Sequence, residues 1–319
     1  VMRDAIAEKQ RHFRGMAVDP ETEITVCCGV TEAMLSTILA AVDPGDEVIV
    51  FEPFYENYGP DCILSGAVPV VVPLTPPDWH FDRDQLRRAF SRKTRAIIIN
   101  TPHNPTGKVY SRDELLFIAG LCREFDTLAI TDEIYEHLVY RGDHVSIATL
   151  DGMQERTVTI NGLSKTYSVT GWRLAYTIAP PDITNAIRKV HDFVTVGAAH
   201  PLQVAAATAL RFPEEYYVDL LNAYRERREF MLEILDGAGF KAYPPDGAYY
   251  VMTDIGAFKE DDVALAHRMV KEIGLATVPG SSFYLDPARG RKQIRFSFPK
   301  KMETLRRAAD RLKQLKRLA

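Results

Sequence analysis

Through the first two-thirds of the chain, short β-branched runs alternate with longer stretches of helical periodicity. Strands are predicted at residues 24–28, 47–51, 69–72, 96–100, 128–131, 157–160 and 174–178. Several are continuously apolar, as expected of strands in a sheet covered on both faces. Helical patterns fill the intervals, among them 31–42, 83–90 and 112–124. The last opens with a capping box, Ser111 at the N-cap and Glu114 three positions on. Asp43-Pro44-Gly45-Asp46 is a turn that stops one helix and launches the next strand. This alternation predicts an α/β fold with a mainly parallel sheet and helices on both faces.

After residue 210 the texture changes. A charged helical stretch over 213–235 leads to strand-like runs at 240–243, 248–254 and 293–298, with a helix near 261–273. The pattern predicts a large domain over 1–210 and a smaller C-terminal α+β domain over 211–319. Residues 1–14 read as a helix from the first position, with neither a capping residue nor a start methionine. The expectation is that a segment preceding it has been lost.

Composition narrows the function. With 319 residues, 46% apolar and 26% charged, the chain is long enough to bury a sizeable core. A net charge of −4 gives no electrostatic basis for binding nucleic acid or an anionic membrane. The basic run from Arg311 to Arg317 reads as the solvated face of a last helix. No apolar run approaches the roughly 20 residues of a membrane span. The four cysteines, Cys27, Cys28, Cys62 and Cys122, lack CxxC spacing and read as reduced thiols in a cytoplasmic protein.

Candidate chemistry collects where strands should end, the place where open α/β sheets bind ligands. Gly29-Val30-Thr31 opens a helix whose free N–H groups suit an anion. Tyr55 follows the second strand, Asn104 the fourth, Asp132 and Tyr135 the fifth, and Lys165 the sixth. Arg173 stands eight positions after Lys165. A lysine among small and hydroxylated residues can form a Schiff base with an aldehyde, and an arginine fork can hold a phosphate. Each item alone also reads as ordinary structure: a helix cap, a packed loop, an Asn-Pro turn, an ion pair. Their common order along strand ends makes the case.

The stretches Thr101-Pro102-His103-Asn104-Pro105-Thr106-Gly107, Asp132-Glu133-Ile134-Tyr135-Glu136, Ser164-Lys165-Thr166 and Gly171-Trp172-Arg173 resemble the motifs of fold-type-I pyridoxal-phosphate enzymes, the class I/II aminotransferases. The resemblance extends to Pro279-Gly280-Ser281-Ser282-Phe283 and Ile294-Arg295-Phe296-Ser297. Within the family the chain is similar to kynurenine, glutamine and methionine aminotransferases and to archaeal aromatic aminotransferases.

The resemblance implies pyridoxal 5'-phosphate bound covalently to Lys165, with Asp132 paired to the pyridine nitrogen. It implies Asn104 and Tyr135 on the cofactor phenolate, Tyr55 stacked on the ring, and Val30, Thr31, Ser164 and Arg173 around the phosphate. Arg295 would read the substrate α-carboxylate. The implied reaction moves an amino group between an L-amino acid (aromatic, methionine-like or glutamine-like) and a 2-oxo acid, in a homodimer. Two departures stand out. Gly162 occupies a position where many relatives carry a hydroxyl, and the family's leading segment, which contributes to the pocket and to the partner subunit, is absent. A cysteine-conjugate β-lyase would use the same residues, and a weakly catalytic binding or regulatory homologue is an alternative of another class.

Overall fold

Seven strands form the principal sheet: β1 (Ile24–Cys27), β2 (Glu47–Glu52), β3 (Val68–Pro73), β4 (Thr94–Asn100), β5 (Leu128–Asp132), β6 (Thr157–Gly162) and β7 (Ala175–Ile178). These come from a computed structural model that describes the backbone of residues 1–318 and the side chains of 1–315. The strand order is β1-β7-β6-β5-β4-β2-β3. Pairings from β3 through β6 are parallel, whereas β7 runs antiparallel to both β6 and β1. The sheet is mainly parallel, as the alternation predicts, but its β1 edge is antiparallel. Burial explains the apolar runs: every residue of β5 and β6 is buried.

Helices cover both faces. They are α1 (Met2–Arg14), α2 (Val30–Ala41), α3 (Tyr58–Leu64), α4 (Arg83–Ala89), α5 (Arg112–Phe125), α6 (Pro181–Thr195) and α7 (His200–Ala209). The capping box on α5 forms as expected: Ser111 accepts from the Glu114 N–H, and Glu114 accepts from the Ser111 N–H. One apolar layer joins Ile49, Phe51, Ile97 and Ile99 to α5. A layer on the other face joins Val48, Val50, Ile98 and Ile130 to α2 and α3. The period-2 alternation along β2 and β4 supplies both layers.

The long helix α8 (Glu214–Gly237) leads to a second sheet of β8 (Lys241–Tyr243), β9 (Tyr250–Asp254), β10 (Val278–Pro279) and β11 (Gln293–Ser297), in the order β10-β11-β9-β8 and antiparallel throughout. The helix expected near 261–273 is shorter: α9 (Asp262–Arg268) gives way to a wider π turn over Met269–Ile273. Helix α10 (Met302–Leu318) closes the described chain. Leu312 and Leu315 are buried while Arg311 and Lys313 face solvent, as a solvated helix face requires. The side chains of Lys316 and Arg317 lie outside the described residues. Among the described residues, no helix is long and apolar enough to cross a membrane.

Candidate active site

Sheet register brings the chemistry together. Asn100 pairs with Asp132, and Asp132 with Ile160, so parallel β4, β5 and β6 end at one level. The turns that follow deliver Asn104, Tyr135 and Lys165 side by side. At the antiparallel edge, Ala175 pairs with both Gly162 and Cys27. Arg173, just before β7, therefore reaches the same end of the sheet as Gly29-Val30-Thr31, just after β1. A cavity of about 170 Å³ opens there, lined among others by Val30, Thr31, Tyr55, Asn104, Asp132, Tyr135, Ser164, Lys165 and Arg173. Arg295 meets it through Asn104.

Asp132 is the last residue of β5, and Tyr135 lies in the turn that follows. The Asp132 carboxylate is 3% exposed. Tyr58 Oη–H donates to its Oδ2 at 2.8 Å, and the Ile134 N–H donates to its Oδ1 at 3.1 Å. Burial raises its pKa to about 6, against the lowering pull of those two donors and of Lys165. A carboxylate so placed gains by meeting a protonated partner. Asn100 clamps the neighbouring turns, its amide donating to the Asp132 carbonyl at 2.9 Å and its carbonyl accepting from the Asn104 N–H at 2.7 Å. Sequence reasoning missed Tyr58, Asn100 and Tyr250. Tyr58 carried the weakest signal, as the second of two tyrosines in the 53–58 segment.

Lys165 is partly buried, and its Nζ makes no hydrogen bond or ion pair among the described residues. Burial lowers its pKa; Arg173 and Arg295 push the same way, and Asp132 opposes them. An amine biased toward its neutral form is nucleophilic. Behind it, Glu136 is fully buried and ion-paired with Lys9 and Arg14 of α1, and it accepts from Asn161 Nδ2 at 2.6 Å. Burial would raise the Glu136 pKa, but the two cations outweigh it and hold it well below the ordinary value. Asn161 in turn accepts from the Gly162 N–H at 2.7 Å, so this buried cluster fixes the end of β6, from which the turn carrying Lys165 leaves. A Cβ at Gly162 would fit tightly, 3.0 Å from the Leu174 carbonyl oxygen and from Ile134 Cδ1, so a side chain there would need these neighbours to give way.

Gly29, at φ +95°, begins α2 with no side-chain cap. A Cβ there would lie 2.4 Å from Arg173 Nη2, so the guanidinium packs directly over the glycine. Arg173 Nη1 donates to the Thr170 carbonyl at 3.1 Å. The open N–H groups of α2 and this arginine make an anion cradle. Gly29→Ala is expected to displace Arg173 and weaken cofactor binding by about 1–3 kcal/mol, the cost of a lost hydrogen bond to a charged group. Equilibrium titration of the cofactor-free protein measures it, and an unchanged affinity would refute the cradle.

Arg295 of β11 donates from Nη1 to Asn104 Oδ1 at 2.7 Å, leaving the Asn104 amide nitrogen free to donate elsewhere. Its guanidinium carbon lies 4.3 Å from the centre of the Tyr250 ring and 4.7 Å from that of Phe283. Its Nε is buried and unpartnered among the described residues. Three cations thus face one carboxylate, a donor set suited to a ligand with a phosphate and a carboxylate.

The profile of the family "Aminotransferase class I and II" matches residues 1–312. The chain is 41% identical to kynurenine–oxoglutarate transaminase 3 of Mus musculus, over 92% of this chain and 71% of the relative. It is 36% identical to methionine aminotransferase of Escherichia coli, over 98% of this chain and 82% of the relative. The solved structure of N-succinyldiaminopimelate aminotransferase from Mycobacterium tuberculosis superposes with a TM-score of 0.95 at 38% identity, covering 98% of this chain and 83% of that one. This chain belongs to the class I and II aminotransferases. It is a pyridoxal-phosphate-dependent aminotransferase with the fold-type-I architecture, acting on an amino acid and a 2-oxo acid. The resemblance read in the motifs is borne out, and nothing favours the β-lyase or the binding homologue.

Proposed function

We propose that the cavity at the ends of β4, β5 and β6 is the catalytic site and that its donors are aromatic, methionine-like or glutamine-like amino acids. The observation that carries this reading is the placement of the Lys165 amine, unpaired among the described residues, beside buried Asp132 and near the Arg173 cradle and Arg295. Bound pyridoxal phosphate supplies an aldehyde for the amine and a ring that takes up electron density as the Cα–H bond breaks. Lys165 would anchor it, and its amine would carry the proton to and from the substrate Cα. Asp132 would keep the ring nitrogen protonated. Asn104 and Tyr135 would hold the phenolate oxygen, Tyr55 would flank the ring, and Val30, Thr31, Ser164 and Arg173 would hold the phosphate.

Arg295 reads the α-carboxylate, its plane set by Tyr250 and Phe283. The cations lining the cavity are Lys165 and Arg173, both already assigned, while Tyr55, Tyr58, Ile134 and Tyr250 supply apolar surface. Among the described residues, no second cation therefore lines the cavity for an aspartate side chain. The test is a panel of amino and 2-oxo acids with the cofactor spectrum recorded; a clear aspartate preference overturns the substrate reading. Arg295→Lys is expected to raise KM on the order of 10–100-fold for all donors together, because an ammonium cannot form the planar pair. A loss confined to one donor class would make Arg295 a side-chain selector instead.

The functional division we favour is a cofactor-binding part over 1–210 and a smaller part over 211–319, beginning near α8. We also propose a homodimer, supported by apolar residues presented to solvent next to the turn before α7: Phe193 is 92% exposed and Val196 82%. A reducing cytoplasmic setting fits four free cysteines, three of them buried.

A further inference from the structure

Tyr250, the first residue of β9, touches two halves of the site that come from different sheets. Its hydroxyl lies 2.8 Å from that of Tyr135, and its ring lies 4.3 Å from the Arg295 guanidinium. Both tyrosines are buried and both line the cavity. The charged and titratable groups facing the pair are Arg295 from β11, Asp132 from β5, Tyr55 from the turn after β2, and the adjacent Tyr249. Burial pushes both phenols above their ordinary values, so each keeps its single proton at working pH.

That proton count fixes the chemistry. A neutral phenol donates once and accepts through its lone pairs. Tyr135 cannot donate both to Tyr250 and to a cofactor oxygen. We propose that Tyr250 is a positioning residue: its hydroxyl donates to the Tyr135 oxygen, committing the Tyr135 proton to the cofactor phenolate, while its ring holds Arg295 in the plane that meets the substrate carboxylate. The inference rests on the reading of Tyr135 as the phenolate contact. A hydroxyl that accepts one hydrogen bond donates its own more strongly. Tyr250 thereby couples the carboxylate reader to the electronics of the cofactor.

The hydroxyl is tested by pH titration of the visible absorption of cofactor-loaded enzyme in the parent, Tyr135→Phe, Tyr250→Phe and the double variant. Tyr135's donation favours a negative cofactor oxygen, so weakening it makes the deprotonated form costlier and raises the midpoint. Tyr135→Phe is expected to raise the midpoint most. Tyr250→Phe should raise it on the order of 0.5 pH, and by nothing further once Tyr135 is already Phe. If Tyr135→Phe moves the midpoint but Tyr250→Phe does not, the Tyr250 inference fails and the Tyr135 reading stands. If Tyr135→Phe leaves it unmoved, both fail. A Tyr250→Phe shift that persists undiminished in the double variant also overturns the relay. The ring is tested separately: Tyr250→Leu, which loses the ring, should raise KM for all donors several-fold above that of Tyr250→Phe, which keeps it. Equal KM values for the Phe and Leu variants would refute the role given to the ring.

Discussion

Lys165→Ala leaves a protein that still collects pyridoxal phosphate at the Arg173 cradle but turns over on the order of 10²–10⁴-fold more slowly, the usual contribution of a positioned acid–base group. The physical argument lies in its surroundings. The amine is partly buried, biased toward neutrality, and unbonded among the described residues, so it is available both as nucleophile and as proton carrier. Arg173 and Arg295 are both arginines, effectively always protonated, so neither can take over the proton. Borohydride reduction of the parent followed by peptide mapping should place the pyridoxyl group on Lys165. A label on another lysine, or near-parent turnover in the variant, would refute the assignment.

Asp132→Asn is expected to separate activity from stability. Replacing one partner of a buried charge pair costs about 3–5 kcal/mol, so turnover should fall on the order of 10²–10⁴-fold with the cofactor still bound. The cofactor-free protein should move the other way. Burial has raised the Asp132 pKa from 3.8 to about 6. Below the ordinary value the carboxyl is protonated in both folded and unfolded chains and costs nothing. As pH rises through about 6, the folded chain must carry a buried carboxylate, and stability is lost. Asparagine carries no charge, so above that window the cofactor-free variant should exceed the parent by on the order of 1–3 kcal/mol. The excess should vanish near pH 4. Denaturant melts at pH 4 and pH 7.5 measure it, and a variant less stable than the parent at the higher pH would show that the Tyr58 and Ile134 donors outweigh desolvation.

Much of this site was legible from the chain because its parts are local. A strand announces itself by a run of β-branched residues, and the next few positions are carried to the same end of the sheet wherever that strand lies. That is why Asn104, Asp132, Tyr135, Lys165 and Arg173 could be singled out, and why one cavity gathers them. Periodicity gave no view of strand order. It could not place β1 beside β7 or turn that edge antiparallel, and only that arrangement seats Arg173 over Gly29. Nor could it show which groups meet across long separations. Tyr58 reaches Asp132 over 74 positions, Tyr250 reaches Tyr135 over 115, and Arg295 reaches Asn104 over 191. The sequence by itself determined the elements, their turns and the reactive groups they carry, since these follow from propensities over a few residues. Tertiary structure alone decided the Tyr58–Asp132 bond, the Tyr250–Tyr135 pair and the stacking of Arg295, because a hydrogen bond or ring contact depends on a few ångströms between segments that only packing brings together.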